Sequence, residues 1–125
     1  GVVWVALGGA CGAVLRWLLG LGLNQLSPIF ALGTLAANLL GAFLMGLIVS
    51  ALHKSLPISP SLQLFIMTGL LGGLTTFSSF TAESFTLLHQ SQFFYFFLHL
   101  LLHLVGSLLC FSLAWYLFNF FSPRF

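Results

Sequence analysis

The sequence has 125 residues, of which 60% are hydrophobic and only 3% are charged. So few charged side chains cannot cover a water-facing surface as a soluble domain requires, and three Lys and Arg residues form no basic patch for nucleic acid. We therefore predict an integral membrane protein that contacts the lipid bilayer and has no nucleic-acid partner. Apolar runs longer than about 18 residues, without the alternation typical of a membrane barrel, favour helices as the spanning elements.

Four apolar runs predict four transmembrane helices. In chain order the predicted spans are Val2–Leu23, Phe30–Leu52, Leu62–Leu88 and Phe93–Phe121. The connections between them are short, which predicts an all-α fold and a single four-helix transmembrane domain over residues 1–125. Because Arg16 lies inside the first run, we expect this span to stay in the membrane instead of acting as a cleaved signal.

The charged residues give little information on orientation. They are Arg16, Lys54, Glu83 and Arg124. An excess of Lys and Arg in cytoplasmic loops normally orients a membrane protein, and here the two sides differ by about one charge. We predict that copies insert in both orientations and pair as an antiparallel homodimer, because four helices alone leave few walls between a polar pathway and lipid.

The first two spans also carry small residues at helix-packing spacing. Gly8 and Gly12 lie four residues apart in the first span, and the second span contains Gly41, Ala42 and Gly46. Such residues allow two helix backbones to approach closely. The contact can lie between two subunits or within one, and the sequence leaves both open.

Polar side chains inside a membrane span are costly and normally face a cavity, a partner or each other. In the second span Thr34 and Asn38 stand four apart and therefore share a helix face. Asn38 offers two amide hydrogens and one acceptor oxygen. It either contributes to a polar pathway or bridges two helices.

The third span contains the glycines Gly69, Gly72 and Gly73. Glycine favours helix weakly, so this is where backbone hydrogen bonds are given up most easily, and we predict a helix broken in mid-membrane. Freed carbonyls are ligands for cations, and freed amides favour an anion. A packing kink without an ion is the alternative.

The segment after these glycines places aromatic rings and hydroxyls on one face. With about 100° between successive helical residues, Phe80, Thr81 and Ser84 lie within roughly 60° of Phe77 around the axis. The edge of an aromatic ring is positive, so two rings presented edge-on can attract an anion without binding it too tightly. Rings at this spacing can also serve packing alone.

The fourth span carries a polar stripe. Its members His99, His103 and Ser107 follow at intervals of four, one step after Tyr95. We predict neutral imidazoles near pH 7 that line a pathway or bond to neighbouring helices. A His pair four apart can also hold a metal ion, but a zinc site needs a third ligand, and Glu83 is the one acidic residue in the chain.

These segments together resemble the Fluc/CrcB fluoride channel family. The resemblance rests on GGACGAVLRW in the first span, GTLAANLLGAFLMG in the second, TGLLGGLTTFSSFTAE in the third and HLVGSL in the fourth. It covers nearly the whole chain, and the third-span motif is the most specific part. It implies a passive fluoride channel in the inner (plasma) membrane, not an enzyme, built as an antiparallel dual-topology dimer.

The resemblance also implies roles for single residues. Gly72 and Thr75 would present backbone carbonyls to a structural sodium ion at the dimer centre, and Arg16 would lie by the aqueous vestibule. Each of two fluoride pathways would be lined by Phe edges, an amide and polar side chains: Asn38, Phe77, Phe80, Thr81, Ser84, His99, His103 and Ser107.

The chain departs from relatives in two places, and two other functions remain open. The motif reads TTFSSF where TTFSTF is commoner, and His99 and His103 stand where some members carry Tyr and Ser. A proton-coupled exporter of the small multidrug type would need a membrane-embedded carboxylate, for which Glu83 is the one candidate. A membrane assembly subunit without transport would show no ion flux.

Overall fold

The computed structural model describes residues 1–122, so Arg124 lies outside the described residues. Over this range the chain is helical and has no strand. Four of its helices are long and apolar enough to cross a membrane: Val2–Leu26, Leu32–His53, Pro60–His89 and Phe93–Phe121. The prediction of an all-helical protein with four such helices is confirmed.

The first two spans are joined by a short bonded turn. Helix α1, Val2–Leu23, continues into a 3-10 turn at Asn24–Leu26, and α2 covers Leu32–His53. The Asn24 side chain accepts a hydrogen bond from the Gly33 amide at 2.7 Å. One of the otherwise unpaired amides at the start of α2 is thus satisfied, which fixes where the helix begins.

The third span consists of several helical segments in series. It begins with α3, Pro60–Gln63, where Ser59 caps the helix and Pro60 occupies the first turn. A π-helical segment, Leu64–Leu71, follows, and then α4, Gly72–Leu74, and α5, Phe77–His89. The fourth span is a single helix, α6, Phe93–Phe121.

The backbone between α4 and α5 is extended. The sequence pattern pointed to Gly72 and Gly73 as the place where helical bonding is given up, but both residues are helical. The extended residues are instead Thr75 (φ −81°, ψ 153°) and Thr76 (φ −145°, ψ 121°). Thr76 caps α5 by accepting from the Ser79 amide at 3.1 Å. N-cap chemistry therefore locates the extended residues two to three positions after the glycines.

Glycines hold the helices of one subunit in close contact. A Cβ added at Gly8 would overlap the Phe65 carbonyl, and one added at Gly12 would overlap the Leu70 carbonyl. In α2, a Cβ at Gly46 would lie 2.6 Å from the Phe111 carbonyl of α6. Of the two alternatives left open, these glycines serve packing within the subunit.

Candidate functional site

A cavity of about 440 Å³ lies between α2, the third span and α6. Its wall is mostly apolar. It includes seven of the residues predicted to line the fluoride pathway or bind sodium: Asn38, Gly72, Thr75, Phe77, Phe80, His103 and Ser107. The fold thus brings together side chains and backbone groups from three spans.

Asn38 pairs with the extended backbone between α4 and α5. Its Oδ1 accepts from the Thr76 amide at 2.8 Å, and its Nδ2 donates to the Thr76 carbonyl at 3.1 Å. The extended residue has no helical partner for these two groups, and an unpaired backbone group in an apolar surrounding costs several kcal/mol. Asn38 therefore stabilises the extended backbone as a bridge between helices.

The same amide fixes the tautomer of His103. Because the two bonds to Thr76 determine which end of the Asn38 amide is nitrogen, the group 3.0 Å from His103 Nδ1 is an N–H donor. The Nδ1 atom must accept, so in this arrangement His103 is neutral and carries its proton on Nε2. Both amide hydrogens of Asn38 are therefore engaged in hydrogen bonds within the protein. The Nε2–H of His103 remains as a hydrogen-bond donor.

Phe80 lies between the other aromatic side chains of the site. Its ring is tilted against Phe77 at 5.8 Å and lies 5.1 Å from the His99 ring and 4.8 Å from the His103 ring. Phe80 is 7% exposed, whereas Phe77 is 76% exposed in this single chain. The two phenylalanines therefore occupy different environments, one inside the helix bundle and one at its surface.

The hydroxyls predicted to share the face of these rings are engaged locally. Thr81 donates to the Phe77 carbonyl at 2.9 Å and Ser84 donates to the Phe80 carbonyl at 2.7 Å. Ser84 is buried and Thr81 is exposed. Either hydroxyl would have to rotate away from its carbonyl before it could donate to an ion.

Glu83 lines a second cavity, of about 370 Å³, together with the connection that precedes α2 and the end of α5. Its Oε1 lies 3.9 Å from His99 Nε2 and is buried, with no hydrogen-bond partner among the described residues. The His99 Nε2 also lies 3.5 Å from the Phe80 carbonyl. Glu83 and His99 thus stand between this second cavity and the one lined by His103.

Arg16 contacts the backbone of α4. Its Nε donates to the Gly73 carbonyl at 3.1 Å, and the side chain is half-buried. It does not line the cavity that contains Asn38 and Phe80. The guanidinium therefore supplies a hydrogen-bond donor to a carbonyl that precedes the extended residues.

Two further carbonyls lose their helical donors at the same place. The Thr76 amide, which a continuous helix would direct to the Gly72 carbonyl, donates to Asn38, and the Ser79 amide, four residues after Thr75, donates to the Thr76 hydroxyl. The Gly72 and Thr75 carbonyls are therefore not used by these amides. Both residues line the larger cavity.

Sequence reasoning did not single out Thr76 or the surroundings of Glu83. A signal for Thr76 was present, since Thr is a preferred N-cap residue and Thr76 directly precedes the predicted helical face of Phe77 and Phe80. No comparable signal links Glu83 to His99, because their contact depends on how α5 packs against α6.

Comparisons with known proteins identify the family. The model of the CrcB-like protein, Camphor Resistance (CrcB) family matches residues 3–115. A protein of Nitrosospira multiformis is 48% identical over 104 residues, 83% of this chain and 81% of its own length. One of Chromobacterium violaceum is 50% identical over 109 residues (86% of each), and one of Cronobacter sakazakii is 43% identical over 120 residues (96% and 94%). All three carry the name fluoride-specific ion channel FluC. The chain belongs to the CrcB family, a family of ion channels and not of enzymes.

Proposed function

We propose that this protein conducts fluoride passively across the cell's inner (plasma) membrane and so lets the toxic anion leave. The single observation that carries the proposal is the position of Phe80. This ring is buried between Phe77 and two imidazoles, beside a mostly apolar cavity that also contains Asn38. The name shared by relatives 43 to 50% identical supports fluoride as the ion.

Selectivity would come from replacing the water around a small, strongly hydrated anion. An ion filter provides groups that stand in for water at close range, without binding so strongly that the ion cannot leave. The positive ring edges of Phe77 and Phe80 supply weak attraction, and the Nε2–H of His103 supplies a hydrogen bond. Asn38 would act mainly by orienting His103, while Ser107, Thr81 and Ser84 would supply further hydroxyls.

An antiparallel homodimer would complete two such pathways. Phe77 is 76% exposed in one chain although it lines the cavity. We expect protein to cover this side chain. If lipid covered it instead, hydrocarbon would contact the polar groups of the pathway. A second copy in the opposite orientation would close the cavity and would place two copies of the extended backbone near each other.

The two carbonyls without their helical donors fit a structural sodium ion. Carbonyl oxygens are hard ligands of the kind that bind alkali and alkaline-earth cations. The Gly72 and Thr75 carbonyls would supply two ligands from each subunit, whereas the Gly73 carbonyl is occupied by Arg16. The ion would join the two subunits at the dimer centre.

Fluoride efflux from liposomes that contain the purified protein tests the proposed function. Ion-selective electrodes detect the released anion, and valinomycin lets potassium leave as the counter-ion. We expect fast fluoride efflux, while chloride efflux stays at the level of protein-free liposomes. Equal rates for the two anions, or no efflux of either, would reject a fluoride-selective channel.

Removal of sodium tests the structural ion separately. We expect preparations exchanged into N-methylglucamine to lose fluoride efflux, because the Gly72 and Thr75 carbonyl oxygens would then face each other across the dimer with no cation between them. Efflux should return when sodium is added and the protein is reconstituted again. Full efflux after exhaustive exchange would contradict the sodium site and leave the fluoride pathway untouched.

A further inference from the structure

The described residues contain a cluster of three side chains that can bind a transition metal. Glu83, His99 and His103 each offer one ligand atom, and these atoms all lie within 4.8 Å of one another. Both histidines are buried, at 2% and 4% exposure. The sequence alone provided the His pair, and the packing of α5 against α6 adds the third ligand.

The Glu83 carboxylate gives this cluster a reason to bind a cation. Its Oε1 is buried and lacks a hydrogen-bond partner among the residues described. His99 Nε2 lies 3.9 Å from it, and the Thr34 side chain bonds to the same carboxyl group. A buried carboxylate oxygen that lacks a hydrogen bond is costly, and binding a metal ion would remove that cost.

The donor set selects the class of metal. Two imidazole nitrogens and one carboxylate oxygen are the ligands of Zn²⁺ sites that keep a position open, and imidazole is a poor ligand for Mg²⁺ and Na⁺. Tetrahedral Zn²⁺ with bonds of about 2.0 to 2.1 Å needs ligand atoms about 3.4 Å apart. The ligand atoms lie within 4.8 Å of one another, so side-chain rotations that shorten these separations by up to about 1.4 Å would be sufficient. The site differs from the carbonyl site of Gly72 and Thr75, which suits a hard cation.

We infer that Glu83, His99 and His103 form a binding site for a Zn²⁺-class metal ion that blocks the anion pathway. The inference of a block rests on the proposed fluoride channel, whereas the metal site does not. Glu83 lines the smaller cavity and His103 the larger one, so the cluster lies between them. A cation held there would obstruct the passage and bind any fluoride that reached it.

Metal binding would also disturb the contact between Asn38 and His103. The Nδ1 of His103 accepts from Asn38, so its Nε2 carries the proton. If a metal binds Nε2, the proton must move to Nδ1, which can then no longer accept from Asn38. If a metal binds Nδ1, it takes the place of the hydrogen bond from Asn38. In either case the ion competes with Asn38, so binding should be reversible and removed by a chelator.

Binding is tested with the full chain in detergent. Titration with Co²⁺, whose visible bands report nitrogen and oxygen ligands in a tetrahedral site, should saturate at one ion per subunit, and Zn²⁺ should displace it. His99→Gln and Glu83→Gln should each lower the affinity by more than about tenfold, as expected when a ligand is lost. The matched control is His89→Gln. His89 is exposed and lies on α5, as Glu83 does, and this variant should bind Co²⁺ as the parent chain does.

Absence of these bands in the parent chain would overturn the site, and this result does not depend on whether any variant folds. Affinity lost in His89→Gln and kept in His99→Gln would overturn it as well.

In liposomes, external Zn²⁺ should stop fluoride efflux of the parent chain, EDTA should restore it, and Mg²⁺ should have no effect. Protein that binds Co²⁺ but conducts no fluoride even with EDTA would reject the proposed function and keep the metal site. Conduction without any binding would reject the metal site alone.

Discussion

The third span contacts its neighbours in two different ways. Before the extended residues it meets α1 backbone to backbone, through glycines such as Gly8 and Gly12 that leave no room for a side chain. After them α5 meets α6 through rings and polar groups, with Phe80 against His99 and His103. The first interface is a scaffold that has no room for an added atom at Gly8 or Gly12. The second carries the two histidines and Glu83, so a small change there should alter conduction more than folding.

Adding one methyl group to the scaffold should have the largest effect on stability. Gly12→Ala places a Cβ against the Leu70 carbonyl and 2.7 Å from the Leu74 amide nitrogen, so the helices must separate. We expect destabilisation by about 3 kcal/mol, the upper end for overpacking. Thermal unfolding and size-exclusion profiles in detergent measure it.

The matched control is Gly22→Ala in the same helix. A Cβ there has nothing within 4 Å, so the change should be neutral or stabilising by up to about 1 kcal/mol through helix propensity. Equal stability of the two variants would show that the contact of α1 with the third span is not close-packed.

Removal of the Asn38 amide should have the next largest effect, because it joins the two regions. Asn38→Ala leaves the Thr76 amide and carbonyl without partners, which we expect to cost about 2 kcal/mol. It also frees His103 to change tautomer, so fluoride efflux should fall further than stability explains. Asn119→Ala is the control, since Asn119 bonds only locally to the Trp115 carbonyl at 2.7 Å among the contacts described. A fully stable Asn38→Ala protein would contradict the bridging role.

Loss of the cap at the start of α5 should have the smallest effect. Thr76→Ala removes the acceptor of the Ser79 amide, which typically costs about 1 kcal/mol, and Thr76→Ser should restore it. Thr86→Ala removes an exposed hydroxyl bonded to the Ala82 carbonyl and should change stability by less than about 0.5 kcal/mol. If Thr76→Ser unfolded as early as Thr76→Ala, the hydroxyl would not be what determines the start of α5.

The four spanning helices could be predicted from the sequence because long apolar runs dominate it. The first and last predicted spans coincide with α1 and α6. The predicted second span begins two residues before the start of α2 and ends one residue before the end of α2. The interior of the third span could not be predicted in the same way. Glycine propensity is a weak preference, and a Thr cap with an Asn partner 38 residues earlier outweighs it at Thr76.

The candidate site was predictable as a set of residues but not as a set of contacts. Helical spacing placed His99 and His103 on one stripe, and both are buried on the face of α6 that meets Phe80. The spacing could not show that Asn38 uses both of its hydrogens within the protein or that Glu83 approaches His99. These contacts depend on how separate helices pack, which local pattern does not encode.

Fluoride efflux from liposomes that contain Phe80→Ile or Phe85→Ile protein tests the central claim most directly. Both residues lie on α5, but Phe80 is 7% exposed within the site and Phe85 is 63% exposed outside it. We predict that Phe80→Ile protein conducts fluoride no faster than protein-free liposomes while remaining folded, and that Phe85→Ile protein stays within about twofold of the parent chain. Normal fluoride efflux through Phe80→Ile would contradict a pathway along this ring.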